Sequence, residues 1–189
     1  MKACPRDVAG IGLCAVAVLL PFGCGGETTT SIVRLRKPPM VLSSPAFHHG
    51  GTVPDYYADP LGSPPSPPLE WTNVPDSTRW FALILYEVEA SGAGEFGTHW
   101  LALNLPGDTR YLAEGAGSHG ADAGTGCCSY VGLRRPGRRT HRFVFALYAL
   151  DTTVSCTFLP TGPAEIEEAA AGHILAKAEL ACHTRLYRF

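Results

Sequence analysis

Two stretches of alternating apolar and polar positions organise the chain. THWLALNLP, residues 98–106, and HRFVFALY, residues 141–148, each open on a histidine and continue with the two-residue period of a pleated strand. On that period His99 shares a face with Leu101, Leu103 and Leu105, and His141 shares one with Phe143, Phe145 and Leu147. RWFALILY, residues 79–86, is apolar almost without a break, the pattern of a strand covered on both faces. It runs out into Tyr86, Glu87, Val88 and Glu89, whose two carboxylates are spaced to face one side. Helical spacing occurs once. Pro163 suits a first helical position, Glu165, Glu167 and Glu168 suit the helix dipole, and Ile166, Ala169, Ala170, His173 and Ile174 recur as a stripe. Ala178, Leu180 and Cys182 then return to a period of two, as a last strand.

The intervening segments read as turns and loops. SSPAF, residues 43–47, followed by HHGGTVP, residues 48–54, predicts a short strand and a turn. His48 and His49 are adjacent, so on extended backbone they point to opposite faces and do not suit one metal ion. GSPPSPPLEW, residues 62–71, lacks ladder donors and reads as a sheet edge or an extended packing strip. Residues 115–126 are glycine-rich, show no period and predict a long loop.

Composition sharpens this picture. The chain has 189 residues, enough for one domain with a sizeable core plus extensions. Its 21 glycines and 16 prolines suit a β-rich, loop-rich fold better than a helical bundle. A net charge of -2 with 17% charged residues provides no basic field, which argues against a nucleic-acid partner. The start is different. Lys2 and Arg6 precede an apolar run, residues 11–23, that is shorter than the roughly 20 apolar residues needed to span a bilayer. Residues 1–23 therefore read as a signal peptide. The run ends at Gly23-Cys24-Gly25-Gly26, which resembles a bacterial lipoprotein processing site with Cys24 as the lipidated residue, although Pro21 and Phe22 depart from that pattern. The expectation is export, as a membrane lipoprotein anchored through Cys24 or as a periplasmic protein. Residues 24–39 read as a tether and residues 40–189 as the folded domain.

Of seven cysteines, Cys127, Cys128, Cys156 and Cys182 fall in that domain, without zinc spacing. In an oxidising compartment Cys127 and Cys128 pair more readily with Cys156 and Cys182 than with each other, since a vicinal disulfide strains its peptide bond. Four buried thiols fit the sequence equally well.

No nucleophile elbow, phosphate loop, zinc-protease helix or dinucleotide fingerprint occurs, and no cofactor is indicated. What remains is Glu87, Glu89, His99 and His141. Two imidazoles can donate to an anion while a carboxylate orients one of them. Such a set suits a phosphate or carboxylate ligand at the edge of an apolar pocket.

Six segments in order now carry a resemblance. SPAFHHGGTVPDYY, SPPLEWTNVP, ALIL with its acidic cluster, THWLALNLP, HRFVFALYALD and GHILAKAELAC resemble the phosphatidylethanolamine-binding protein family, in particular its bacterial Raf-kinase-inhibitor-like branch. They span roughly residues 43 to 183, almost the whole domain. The resemblance implies a mainly β fold, a Greek-key β-sandwich of two antiparallel sheets with one or two short helices. It also implies a small anion pocket at one end. The family's D-P-D motif falls on Glu87, Val88 and Glu89, its H-W histidine on His99, and its H-R-Y motif on His141 and Phe143, where phenylalanine replaces tyrosine. Its Y-x-G-P-x-P-P stretch falls on Tyr130, Gly132 and Leu133, then Arg134 and Arg135 where prolines are expected. Each glutamate reaches one methylene further than the aspartate it replaces, and Phe143 removes a hydroxyl.

The implied ligand-binding set is therefore Glu87, Glu89, His99, Tyr130, Gly132, His141 and Phe143. The implied function is non-enzymatic binding of a phosphate-containing small molecule or phospholipid head group. The alternatives are an inhibitor of a protease or kinase acting through surface loops in the cell envelope, with a protein partner, and a hydrolase using His99 or His141 as base.

Overall fold

The computed structural model describes residues 37–58, 63–88, 95–117, 130–133, 140–155 and 162–185; the side chains of 95 and 96 are excepted. Cys24, Glu89, Cys127, Cys128, Arg134, Arg135, Cys156 and most of the glycine-rich stretch after Gly117 lie outside the described residues.

Among the described residues, eight strands and two short helices follow one another: β1 (Val41–Ser43), β2 (Gly51–Thr52), α1 (Asp55–Ala58), β3 (Leu69–Thr72), β4 (Trp80–Val88), β5 (Glu95–Pro106), β6 (Tyr111–Leu112), β7 (Arg142–Leu150), α2 (Pro163–Ala169) and β8 (Ile174–His183). They form a three-stranded sheet in the order β1-β3-β6 and a five-stranded sheet in the order β2-β8-β7-β4-β5. This is the expected two-sheet β fold. Pairing is antiparallel except for a two-residue parallel ladder between β2 and β8.

The large sheet is buried on both faces, which explains the unbroken apolar run of β4. Phe81, Leu83 and Leu85 of β4 join Phe143, Phe145 and Leu147 of β7, Leu180 of β8 and Trp71 of β3 in the core between the sheets. Ala82, Ile84 and Tyr86 join Val144, Ala146 and Tyr148 on the opposite face, beneath Ile166 of α2 and Val154. The proline strip packs, as expected. Pro64, Ser66 and Pro67 are buried, Ser66 Oγ accepts from Gly117 N at 2.9 Å and its carbonyl accepts from Gly115 N at 2.9 Å.

Two expectations fail locally. The helical stripe was expected to carry His173 and Ile174, but α2 stops at Ala169 and Ile174 already begins β8. Gly172, with φ at 81°, breaks the helical run in the left-handed region that favours glycine. The face assigned to His99 is also wrong. Leu101 and Leu103 belong to the outer core, whereas Trp100, Ala102 and Leu105 belong to the inner one. Strand β5 carries irregularities that change its phase. Leu85 pairs with Trp100 and the next residue, Tyr86, pairs with Thr98, so the β4–β5 ladder passes over His99 as an extra residue. A second shift falls at Gly97, φ 64°, and a third near Asn104, φ 55°. Strict alternation cannot survive them.

Candidate functional site

Glu87 is the penultimate residue of β4, on the inner face, opposite Phe143 of β7. Only 4% of it is exposed, so its carboxylate needs close partners. Two imidazoles stand beside it. His141 Nδ1 lies 2.5 Å from Oε1, and His99 Nε2 lies 3.9 Å from Oε2. The first is a hydrogen bond in which the imidazole N–H donates to the carboxylate. The second approach is too long for one.

His99 is held from its other side. Its Nδ1 lies 2.8 Å from the carbonyl oxygen of Gly132, and a carbonyl can only accept, so Nδ1 carries the proton. Gly132 presents that carbonyl from φ 82°, and the neighbouring Val131 N donates to the His99 carbonyl at 2.9 Å. The ring stands edge-on to Phe143, with centroids 5.1 Å apart at 85°. The phenylalanine in place of tyrosine is thus a packing wall, fully buried.

Tyr130 stands one layer back. Its hydroxyl donates to the Tyr57 carbonyl at 3.0 Å, and its ring stacks edge-on against Trp100. Burial pushes its phenol far above the ordinary value, so it stays a neutral donor. A Cβ on Gly117 would lie 2.6 Å from the Trp100 ring and 2.8 Å from Tyr130 Cβ. Gly117 and Tyr57 are therefore supports of the site that no motif or period in the sequence announces.

His141 precedes β7, and its carbonyl accepts from Thr184 N at 3.1 Å. Its Nε2 is buried and has no hydrogen-bond partner among the described residues. With Nδ1 committed to Glu87, Nε2 is a lone-pair acceptor in the neutral ring and a donor in the protonated one. This unmatched atom belongs to the residue that precedes β7, beside Glu87 of β4 and His99 of β5.

The structure thus brings together Glu87, His99, Gly132, His141 and Phe143, with Tyr130 behind them. Cys182, opposite Phe143 on β8, is a free buried thiol, so a disulfide using it is not formed. Among the described residues no set of three or more His, Cys, Asp or Glu side chains is arranged to hold a metal ion. His48 and His49 are exposed, at a separate open groove of about 570 Å³ between β1 and β8.

Comparison with known proteins agrees with this architecture. A family model described as phosphatidylethanolamine-binding protein matches residues 43–185. A UPF0098 protein of Methanothermobacter thermautotrophicus is 34% identical over 150 residues, covering 75% of this chain and 95% of that protein. A UPF0098 protein of Chlamydia muridarum is 34% identical over 146 residues, with the same coverages, 75% and 95%. Among solved structures, a phosphatidylethanolamine-binding protein homologue of Chlamydia trachomatis superposes with a TM-score of 0.62 at 32% identity, over 80% of this chain and 98% of that one. Escherichia coli YbcL superposes with a TM-score of 0.65 at 22% identity, over 79% of this chain and all of that one, a likeness of fold.

Proposed function

Because the chain belongs to the phosphatidylethanolamine-binding protein family, we propose that it is an exported, non-enzymatic binding protein whose Glu87–His99–His141 cluster holds a small oxyanion. The ligand is inorganic phosphate or the phosphate of a phospholipid head group. One observation carries this reading. A buried imidazole nitrogen, His141 Nε2, has no partner of its own, while the rest of the cluster is tied by hydrogen bonds that fix its geometry. A preformed polar atom inside an apolar surround is the arrangement that rewards an anion for leaving water. The names of the relatives assign no reaction to them.

Calorimetric titration with inorganic phosphate tests the placement. The wild-type chain is expected to bind, and His99→Ala combined with His141→Ala is expected to abolish the heat of binding while leaving the urea midpoint readable. Equal affinity in the double variant overturns the site. Phosphate and a short-chain phospholipid, titrated in parallel, separate the free anion from the head group.

A further inference from the structure

The site contains its own anion. Glu87 stands between the two imidazoles that an incoming oxyanion would use, and its carboxylate is nearly inaccessible. With both histidines neutral, the cluster carries one negative charge and repels a second. Another feature worsens this. His99 Nδ1 holds a proton for Gly132, so in the neutral ring Nε2 turns a lone pair toward Glu87 Oε2, 3.9 Å away. His141 Nδ1 donates to Glu87, so in the neutral ring its buried Nε2 is likewise a lone pair. Neither ring then has a donor left for an anion.

Protonation reverses both problems at once. A proton on His141 makes Nε2 a donor, neutralises the charge on Glu87 and completes an ion pair already at hydrogen-bond distance. Without an oxyanion that buried N–H would have no acceptor. An oxyanion supplies the missing acceptor. Each ligand, proton and anion, therefore favours the other, and the coupling is reciprocal.

We propose that the cluster takes up one proton together with the oxyanion, the proton residing on His141, so that the site accepts a fully ionised tetrahedral oxyanion through an imidazolium N–H. This rests on the anion-binding reading above and adds to it the protonation state of ligand and protein. The titratable and charged groups around His141 are Glu87 from β4, His99 from β5, Arg142 beside it on β7, and Cys182 and His183 from β8. Arg142 is exposed, and burial pushes the Cys182 thiol up to about 12, so the thiol keeps its proton near neutrality. Glu89, Arg134 and Arg135 lie outside the described residues.

The probe is sulfate, which has no proton to gain or lose near neutrality, compared with inorganic phosphate. Both are titrated into the full-length chain between about pH 6 and about pH 8, in buffers of different ionisation enthalpy. The expected result is sulfate binding with uptake of up to one proton, and an affinity that falls by as much as about tenfold per pH unit across the window. His141→Gln keeps an amide donor but cannot titrate; it should bind sulfate more weakly and without proton uptake. Glu87→Gln, which removes the internal charge, should flatten the pH dependence. Sulfate binding that is flat with pH, or proton uptake unchanged in His141→Gln, overturns the proposal. Phosphate binding without sulfate binding also overturns it, because the linked proton would then travel on the ligand as a donor to Glu87. Failure of both anions to bind sinks the anion-site reading itself, and this inference with it.

Discussion

Cys182 shows how much one buried atom says about its surroundings. Its thiol lies in the inner core, opposite Phe143, and desolvation pushes it up to about 12. The folded state therefore keeps its proton long after the unfolded chain, near the ordinary thiol value of about 8.5, has released one. Stability from this group is complete below the unfolded value and is lost as pH rises toward the folded one. The expectation is that the urea midpoint drops between pH 7 and pH 10 in the wild type and drops less in Cys182→Ala. An equal drop in both would mean that the thiol is hydrated. At this scale the sequence was partly legible. His141, Phe143 and Phe145 alternate as a strand should, and they do share the inner face. The resemblance implies Tyr130 as a ligand residue, and the hydroxyl of Tyr130 donates to the carbonyl of Tyr57, 73 positions away. No local pattern encodes a contact of that range.

Strand β5 is the element on which the site depends. It lies at the edge of the five-stranded sheet, where an open row of backbone groups invites unwanted pairing. The edge is blunted by its own irregularities and by two neighbours. Val131 N bonds the His99 carbonyl, and the Asn104 side chain bonds Val154 through both its groups, Nδ2 to the carbonyl at 3.0 Å and Oδ1 from the amide at 2.9 Å. Asn104 also adopts φ 55°, a conformation that asparagine tolerates better than most residues. Asn104→Ala removes the two bonds and keeps the strained backbone, and is expected to cost about 1–3 kcal/mol. Asn104→Gly should recover part of that by relieving the backbone alone. Urea unfolding of the two variants decides it; an unchanged midpoint in Asn104→Ala would show that the Val154 bonds contribute nothing. Strands β4 and β7 were legible because they pair with each other without a shift, whereas β8 slips at its start, where Leu175 is passed over between Ile174 and Ala176. Strand β5 changes phase at residues whose conformation depends on neighbours, and α2 was read too long because Gly172 punctuates a stripe that hydrophobicity alone continues.

For the whole molecule, order along the chain was informative because each recognisable segment became an element in one of two sheets. The closing of the site was not, since Glu87, His99 and His141 come from three different strand regions and meet only after the large sheet has formed. The proposed leader belongs to this scale too, as export would decide which compartment's anions the domain meets. We expect Cys24→Ala to move the protein from the detergent phase to the aqueous phase in a partitioning assay. Unchanged partitioning would remove lipidation from the account and leave export to be tested by fractionation.

The ladder's passage over residue 99 has one more consequence. The ladder between β4 and β5 passes from Trp100 to Thr98 without counting the residue between them. A substitution there can spare the pairs on either side of it, Leu85 with Trp100 and Tyr86 with Thr98, but it costs the Nδ1 bond to the Gly132 carbonyl and the edge-on contact with Phe143. What residue 99 carries is thus constrained by the closure around Glu87 rather than by strand register.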